Sequence, residues 1–103
     1  MTPIRKLLGE WHVFLLNSVR RRTWEHYTRR CENFFEKFPG KERPQDFDRC
    51  DVEDYRKWRA EEGAAASTVK QELAIVSSFW GWMMDVKGLH LLNPTRKRPY
   101  KFF

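Results

Sequence analysis

Glycine, proline and cysteine are all scarce in this chain of 103 residues, at five, five and two respectively. Neither G-x-G-x-x-G nor G-x-x-x-x-G-K-[ST] occurs, so the common phosphate-cradling loops are missing and small-molecule chemistry has little to stand on. Cys31 and Cys50 form no C-x-x-C pair and set no disulfide framework. His12, His26 and His90 lie far apart without neighbouring cysteines, so neither a metal site nor a cofactor is expected. No apolar run approaches the roughly 20 residues that cross a bilayer. The opening residues, Met1 to Lys6, lack the apolar stretch and small-residue cleavage site of a secretory signal. The expectation is a soluble, cytoplasmic domain.

Cations and aromatic rings are plentiful. Lys and Arg number 20 against 14 Asp and Glu, a formal charge of +6, and there are eight Phe, five Trp and three Tyr. Each buried ring removes on the order of 150–250 Å² from water. A chain of this length can therefore build one core without disulfides or metal.

The apolar spacing predicts four helices and no strand. The first spans about residues 3–16, with Thr2 as N-cap, Pro3 at the first helical position, and Ile4, Leu7, Leu8, Trp11, Phe14 and Leu15 as its core set. The second spans about residues 19–38. Its apolar side is Trp24, Tyr27, Cys31, Phe34, Phe35 and Phe38, and Arg22, His26, Arg29 and Asn33 fall opposite. Pro39-Gly40 stops it, and residues 39–47 read as a polar loop.

A third helix begins with Asp48 as cap, Asp51 three residues on, and Phe47 and Val52 as a hydrophobic staple; it runs through Tyr55, Trp58 and Arg59 to Gly63. The fourth covers about residues 66–87 before Gly88. One stripe is Val69, Leu73, Val76, Trp80 and Met83, a second is Ile75, Phe79, Trp82 and Val86, and the remaining face is small or polar. Leu91-Leu92-Asn93-Pro94 ends regular structure. Residues 1–94 are expected to form the domain and residues 95–103 a basic tail.

Charge is unevenly spread. Residues 20–30 hold five arginines against Glu25, and the tail adds Arg96, Lys97, Arg98 and Lys101 with no acid. Residues 42–62 carry eight acids and five bases. A basic surface made by the second helix and the tail suits a polyanion, because bases that neutralise phosphates release counterions. A plain solvated basic face is the competing explanation.

The order of the segments resembles the core-binding domain of tyrosine recombinases, the phage-integrase family. Thr23-Trp24-Glu25-His26-Tyr27, with Cys31 and Phe34-Phe35, is similar to that family's T-x-x-x-Y helix. Phe47 through Tyr55 resembles its next helix, and Gly63 with Ser67-Thr68-Val69-Lys70-Gln71-Glu72-Leu73 the start of the one after. Phe79-x-x-Trp82, Gly88 and Asn93-Pro94 match the ending. The chain departs from the pattern at Ala65, where the family has Ser, and at Arg20, where a Ser precedes the T-x-x-x-Y helix.

The resemblance implies a SAM-like orthogonal bundle of four helices, one jaw of a clamp on double-stranded DNA, with the second and fourth helices toward the major groove. The implied DNA-facing residues are Arg20, Arg21, Arg22, Thr23, His26, Arg29 and Arg30, with Ser67, Thr68, Lys70 and Gln71. Helical phase also leaves these off the core. Arg22, Arg29 and Lys70 suit phosphates; Gln71 and His26 suit base edges; Ser67 and Thr68, near a helix start, suit a phosphate.

The resemblance places the family's nucleophilic Tyr and phosphate-activating cluster in a separate catalytic domain of the parent chain. This chain is therefore expected to be a bacterial or phage-encoded binding module that cuts nothing, monomeric in isolation. His26-Tyr27-Thr28-Arg29 spells the family's H-x-x-R string by coincidence, since it lies outside the catalytic domain. A different class of function is a helical protein-interaction module docking through Trp58, Trp82 and Phe102-Phe103.

Overall fold

The computed structural model of the chain describes residues 2–96. They form α1 (Ile4–Leu16), α2 (Arg21–Glu36), α3 (Arg49–Glu61) and α4 (Ala66–Asp85), with a single 3-10 turn at Pro44–Asp46 and no strand among the described residues. The fold is all-α, as expected. Its basic tail from Lys97 onward, including Phe102 and Phe103, lies outside the described residues.

Helix ends follow local chemistry, with one correction. Asp48 accepts from the Asp51 amide, and the Asp51 side chain accepts in return from the Asp48 amide, closing the expected capping box. Gly63 and Gly88 take φ of +89° and +69°, which favours glycine after a helix. Thr2 does not cap α1. Pro3 is the N-cap, and the Ile4 amide donates to the Glu42 carbonyl at 2.6 Å, so the loop from residue 39 to 47 supplies the acceptor that Thr2 was expected to provide. That loop is more ordered than its polarity suggests. Lys41 donates to the Asp46 carbonyl at 2.9 Å and to Asp51 at 2.8 Å, pinning it to the start of α3.

Rings from all four helices meet in the core. Trp11 of α1 packs on Phe79 of α4 at 5.2 Å between ring centroids, and Phe35 of α2 lies 5.7 Å from Phe79 and 5.9 Å from Trp80. Phe34 reaches Tyr55 of α3 at 4.9 Å, and Phe47 closes on Trp80 at 5.6 Å. Polar groups reinforce the same joints. The Trp24 indole donates to the His12 carbonyl at 2.8 Å, Arg5 donates to the Phe35 carbonyl at the end of α2 at 3.1 Å, and Lys87 pairs with Glu10 at 2.7 Å. Cys31 is fully buried among these helices, and burial pushes its thiol pKa up.

Two residues expected in the core sit outside it. Phe14 is 42% exposed, because it lies at the edge of the α1 stripe and only flanks Trp82, at 6.0 Å. Val86 is 58% exposed, because α4 ends at Asp85 and Val86 falls past its last turn. Conversely, Trp82 is buried and Trp58 packs half-buried against Phe38 at 5.6 Å. Neither is the open aromatic surface that the protein-interaction alternative requires.

Candidate nucleic-acid interface

The residues expected to face DNA divide by element and by freedom. Arg20, the N-cap of α2, and Arg21, Arg22, His26 and Arg29 along its first three turns are exposed, with Thr23 half-buried beside them. On α4, Ser67, Lys70 and Gln71 are exposed in the first two turns and Thr68 is half-buried. The two helices are in direct contact, and Arg30 of α2 reaches Glu72 of α4 at 3.5 Å. The middle of α2 therefore lies across the beginning of α4.

Partners distinguish the cations. Arg20, Arg22, Arg29 and Lys70 make no ion pair or side-chain hydrogen bond among the described residues. Arg21 pairs loosely with Glu25 at 3.5 Å in solvent and lies over the half-buried Trp24 ring at 5.6 Å. Exposed pairs of that kind contribute about 0–1 kcal/mol, so Arg21 is free to exchange partners. Charges held in water without a counterion are the arrangement that a polyanion can neutralise at little cost.

The N-termini of both helices lack side-chain caps. Arg20 and Ala65 are the two N-cap residues, and neither side chain accepts an amide hydrogen. These are the positions at which the chain departs from the recombinase pattern.

A further charged cluster, which the sequence pattern does not single out, lies behind this face. Glu72 projects from α4 into the joint with α2 and α3, and its side chain is 3% exposed. The Tyr55 hydroxyl donates to it at 2.7 Å, and Arg59 donates through Nε at 3.0 Å and Nη2 at 2.9 Å. Burial alone would raise the Glu72 pKa, but the bonds from Arg59 and Tyr55 and the charges of Arg59 and Arg30 outweigh it and lower the value. Lys37 and Arg59 both hold Glu62 at the rim, at 2.6 and 3.0 Å. A signal was present in the sequence: Glu72 falls three residues after Val69 and four before Val76, beside the core stripe, and Arg59 falls one turn after Tyr55. An acid and a base at such positions fit a buried pair.

Among the described residues, no group of His, Cys, Asp and Glu is arranged to hold a metal ion, and no helix is long and apolar enough to cross a membrane.

No curated protein and no solved structure matches the chain. A family model does, described as "Phage integrase, N-terminal SAM-like domain" and matching residues 14–87, which takes in α2, α3 and α4 entire. The all-helical bundle accords with it, and the chain belongs to the family of N-terminal SAM-like domains of phage integrases, the tyrosine recombinases.

Proposed function

We propose that this chain is the DNA-binding, core-binding module of a tyrosine recombinase, holding duplex DNA with α2 and the first turns of α4. The observation that carries the reading is the set of exposed cations Arg20, Arg22, Arg29 and Lys70, without ion pairs among the described residues, on two touching helices. Arg22, Arg29 and Lys70 bind phosphates and set register; His26 and Gln71 reach base edges; Ser67 and Thr68 contribute hydroxyl and amide donors to a phosphate. The phosphoryl chemistry belongs to a catalytic domain of the same parent protein, reached through residues 95–103, and this module acts by positioning alone. Its partners are double-stranded DNA and that catalytic domain, and its site of action is DNA in the cytoplasm of a bacterial cell.

Fluorescence anisotropy of a labelled duplex, titrated across a salt series, tests the reading. Neutralising four phosphates gives a fall of log K with log salt of slope about −3.6. Binding that does not respond to salt, or no binding at about 50 mM salt, overturns it.

A further inference from the structure

We infer that Arg30 is a transferable cation, held by Glu72 in the free protein and handed to a DNA phosphate when duplex binds. The inference rests on the DNA-binding reading above and adds to it an internal counterion that moderates affinity.

The asymmetry of the Glu72 cluster is the basis. Tyr55 and Arg59 approach the carboxylate through three bonds of 2.7, 3.0 and 2.9 Å. Arg30 makes one contact, at 3.5 Å, beyond the usual 2.7–3.2 Å range of N–H···O bonds. Its side chain is also more open than that of Arg59, 33% exposed against 23%.

Removing each partner has a different consequence. Without Arg59, a buried carboxylate loses its main compensation, a heavy penalty. Without Arg30, Glu72 keeps three short bonds and a guanidinium held through two nitrogens. Arg59 is therefore fixed, and Arg30 is free to leave.

Position and chemistry supply the destination. Arg30 follows Arg29 directly and lies one turn beyond His26, on the flank of α2 that turns toward α4. Its guanidinium forms the same forked bonds to phosphate as to carboxylate. In the free protein it shares a carboxylate that Arg59 already satisfies. Near a duplex it meets an unshared anion, and counterion release favours the exchange. Glu72 thus competes with DNA for Arg30, and affinity is lower than the α2 arginines would otherwise give.

Salt-dependent binding of a fluorescein-labelled duplex to the full chain provides the test. Arg30 adds a fifth phosphate to the four of the reading above, for a slope of about −4.5, and Arg30→Gln is expected to lower its magnitude by about 0.9, the amount for one phosphate contact. It leaves the Glu72 bonds to Tyr55 and Arg59 in place, so folding is not at issue. Glu72→Gln is expected to tighten binding about two- to fivefold at low salt with the slope unchanged, although the fold becomes less stable. A merely structural Glu72 would give weaker binding instead. The gain should vanish when both substitutions are combined.

Arg22→Gln and Arg29→Gln separate the two levels of the claim. If each lowers the slope and Arg30→Gln does not, Arg30 stays on Glu72 and the transfer is wrong, while the DNA-binding reading stands. If the unaltered chain shows no salt-dependent binding, both fall. Should Glu72→Gln not fold, the Arg30→Gln slope alone decides.

Discussion

Asn93 fastens the exit of the chain back onto the middle of α4 through Ser77. Its carboxamide nitrogen donates to the Ser77 hydroxyl at 2.9 Å and to the Ser77 carbonyl at 3.3 Å. Its oxygen accepts from the amide and hydroxyl of Thr95 at 3.0 and 2.8 Å. Arg49 then donates to the Arg96 carbonyl at 3.2 Å, so residues 95 and 96 remain bound to the bundle. The Asn-Pro of the recombinase pattern is here a hydrogen-bonded clasp.

A side chain that both donates and accepts is needed at this position. Asn93 is buried, so Asn93→Ala should cost about 1–3 kcal/mol in urea denaturation, the range for leaving buried polar groups unpaired. Asn93→Asp should not restore the loss, because an ionised carboxylate cannot donate to the Ser77 carbonyl. Full stability in either variant would show that the clasp contributes nothing.

Trp80 is the ring on which the core converges. It is fully buried, and Phe35, Phe47 and Phe79 surround it at 5.9, 5.6 and 5.7 Å. Trp80→Ala should therefore cost roughly 3–5 kcal/mol, as expected when a large core ring is truncated. A loss below about 1 kcal/mol would mean that neighbouring rings collapse into the space, which dense core packing opposes.

The interior was largely legible in the sequence because burial follows period. Val69, Leu73, Val76, Trp80 and Met83 recur at helical spacing, and all are buried. Legibility failed where a contact partner is distant in sequence. Thr2 is a sound cap by residue type, but the acceptor for α1 is the Glu42 carbonyl, and no local pattern announces it. The Glu72 cluster failed for the same reason, since Tyr55 and Arg59 come from another helix. On the candidate site, phase correctly left Arg22, His26, Arg29 and Lys70 exposed. It did not distinguish Arg30, whose counterion lies 42 residues away.

The cap at Ala65 offers a case where local chemistry alone should decide. Its backbone is extended, at φ −68° and ψ 148°, as an N-cap requires, and its methyl group cannot accept an amide hydrogen. Ala65 is exposed, so a hydroxyl there meets no steric obstacle. Ala65→Ser should stabilise the domain by about 0.5–1 kcal/mol, read as a raised urea midpoint with an unchanged slope. No gain would indicate that water already satisfies those amides equally well.

Stability should fall with acid in two separable steps. His12 is half-buried beside the α2 joint, and its Nε2 has no hydrogen-bond partner among the described residues. Burial lowers its pKa from the ordinary 6.5, and the charge of Glu32 only partly offsets this. The unfolded chain therefore takes up that proton first as pH falls below about 6.5, and stability declines until the native His12 titrates as well. Glu72 acts lower. Its native pKa lies below the ordinary carboxylate value, so its contribution is whole above about pH 4.3 and is lost as pH falls through the native value. Urea midpoints measured from pH 8 down to pH 3 should show both declines. In His12→Gln the upper decline should disappear while the lower one remains. If the upper step persists in that variant, another group is responsible and the orphaned imidazole is not the acid-sensitive point of the α1–α2 joint.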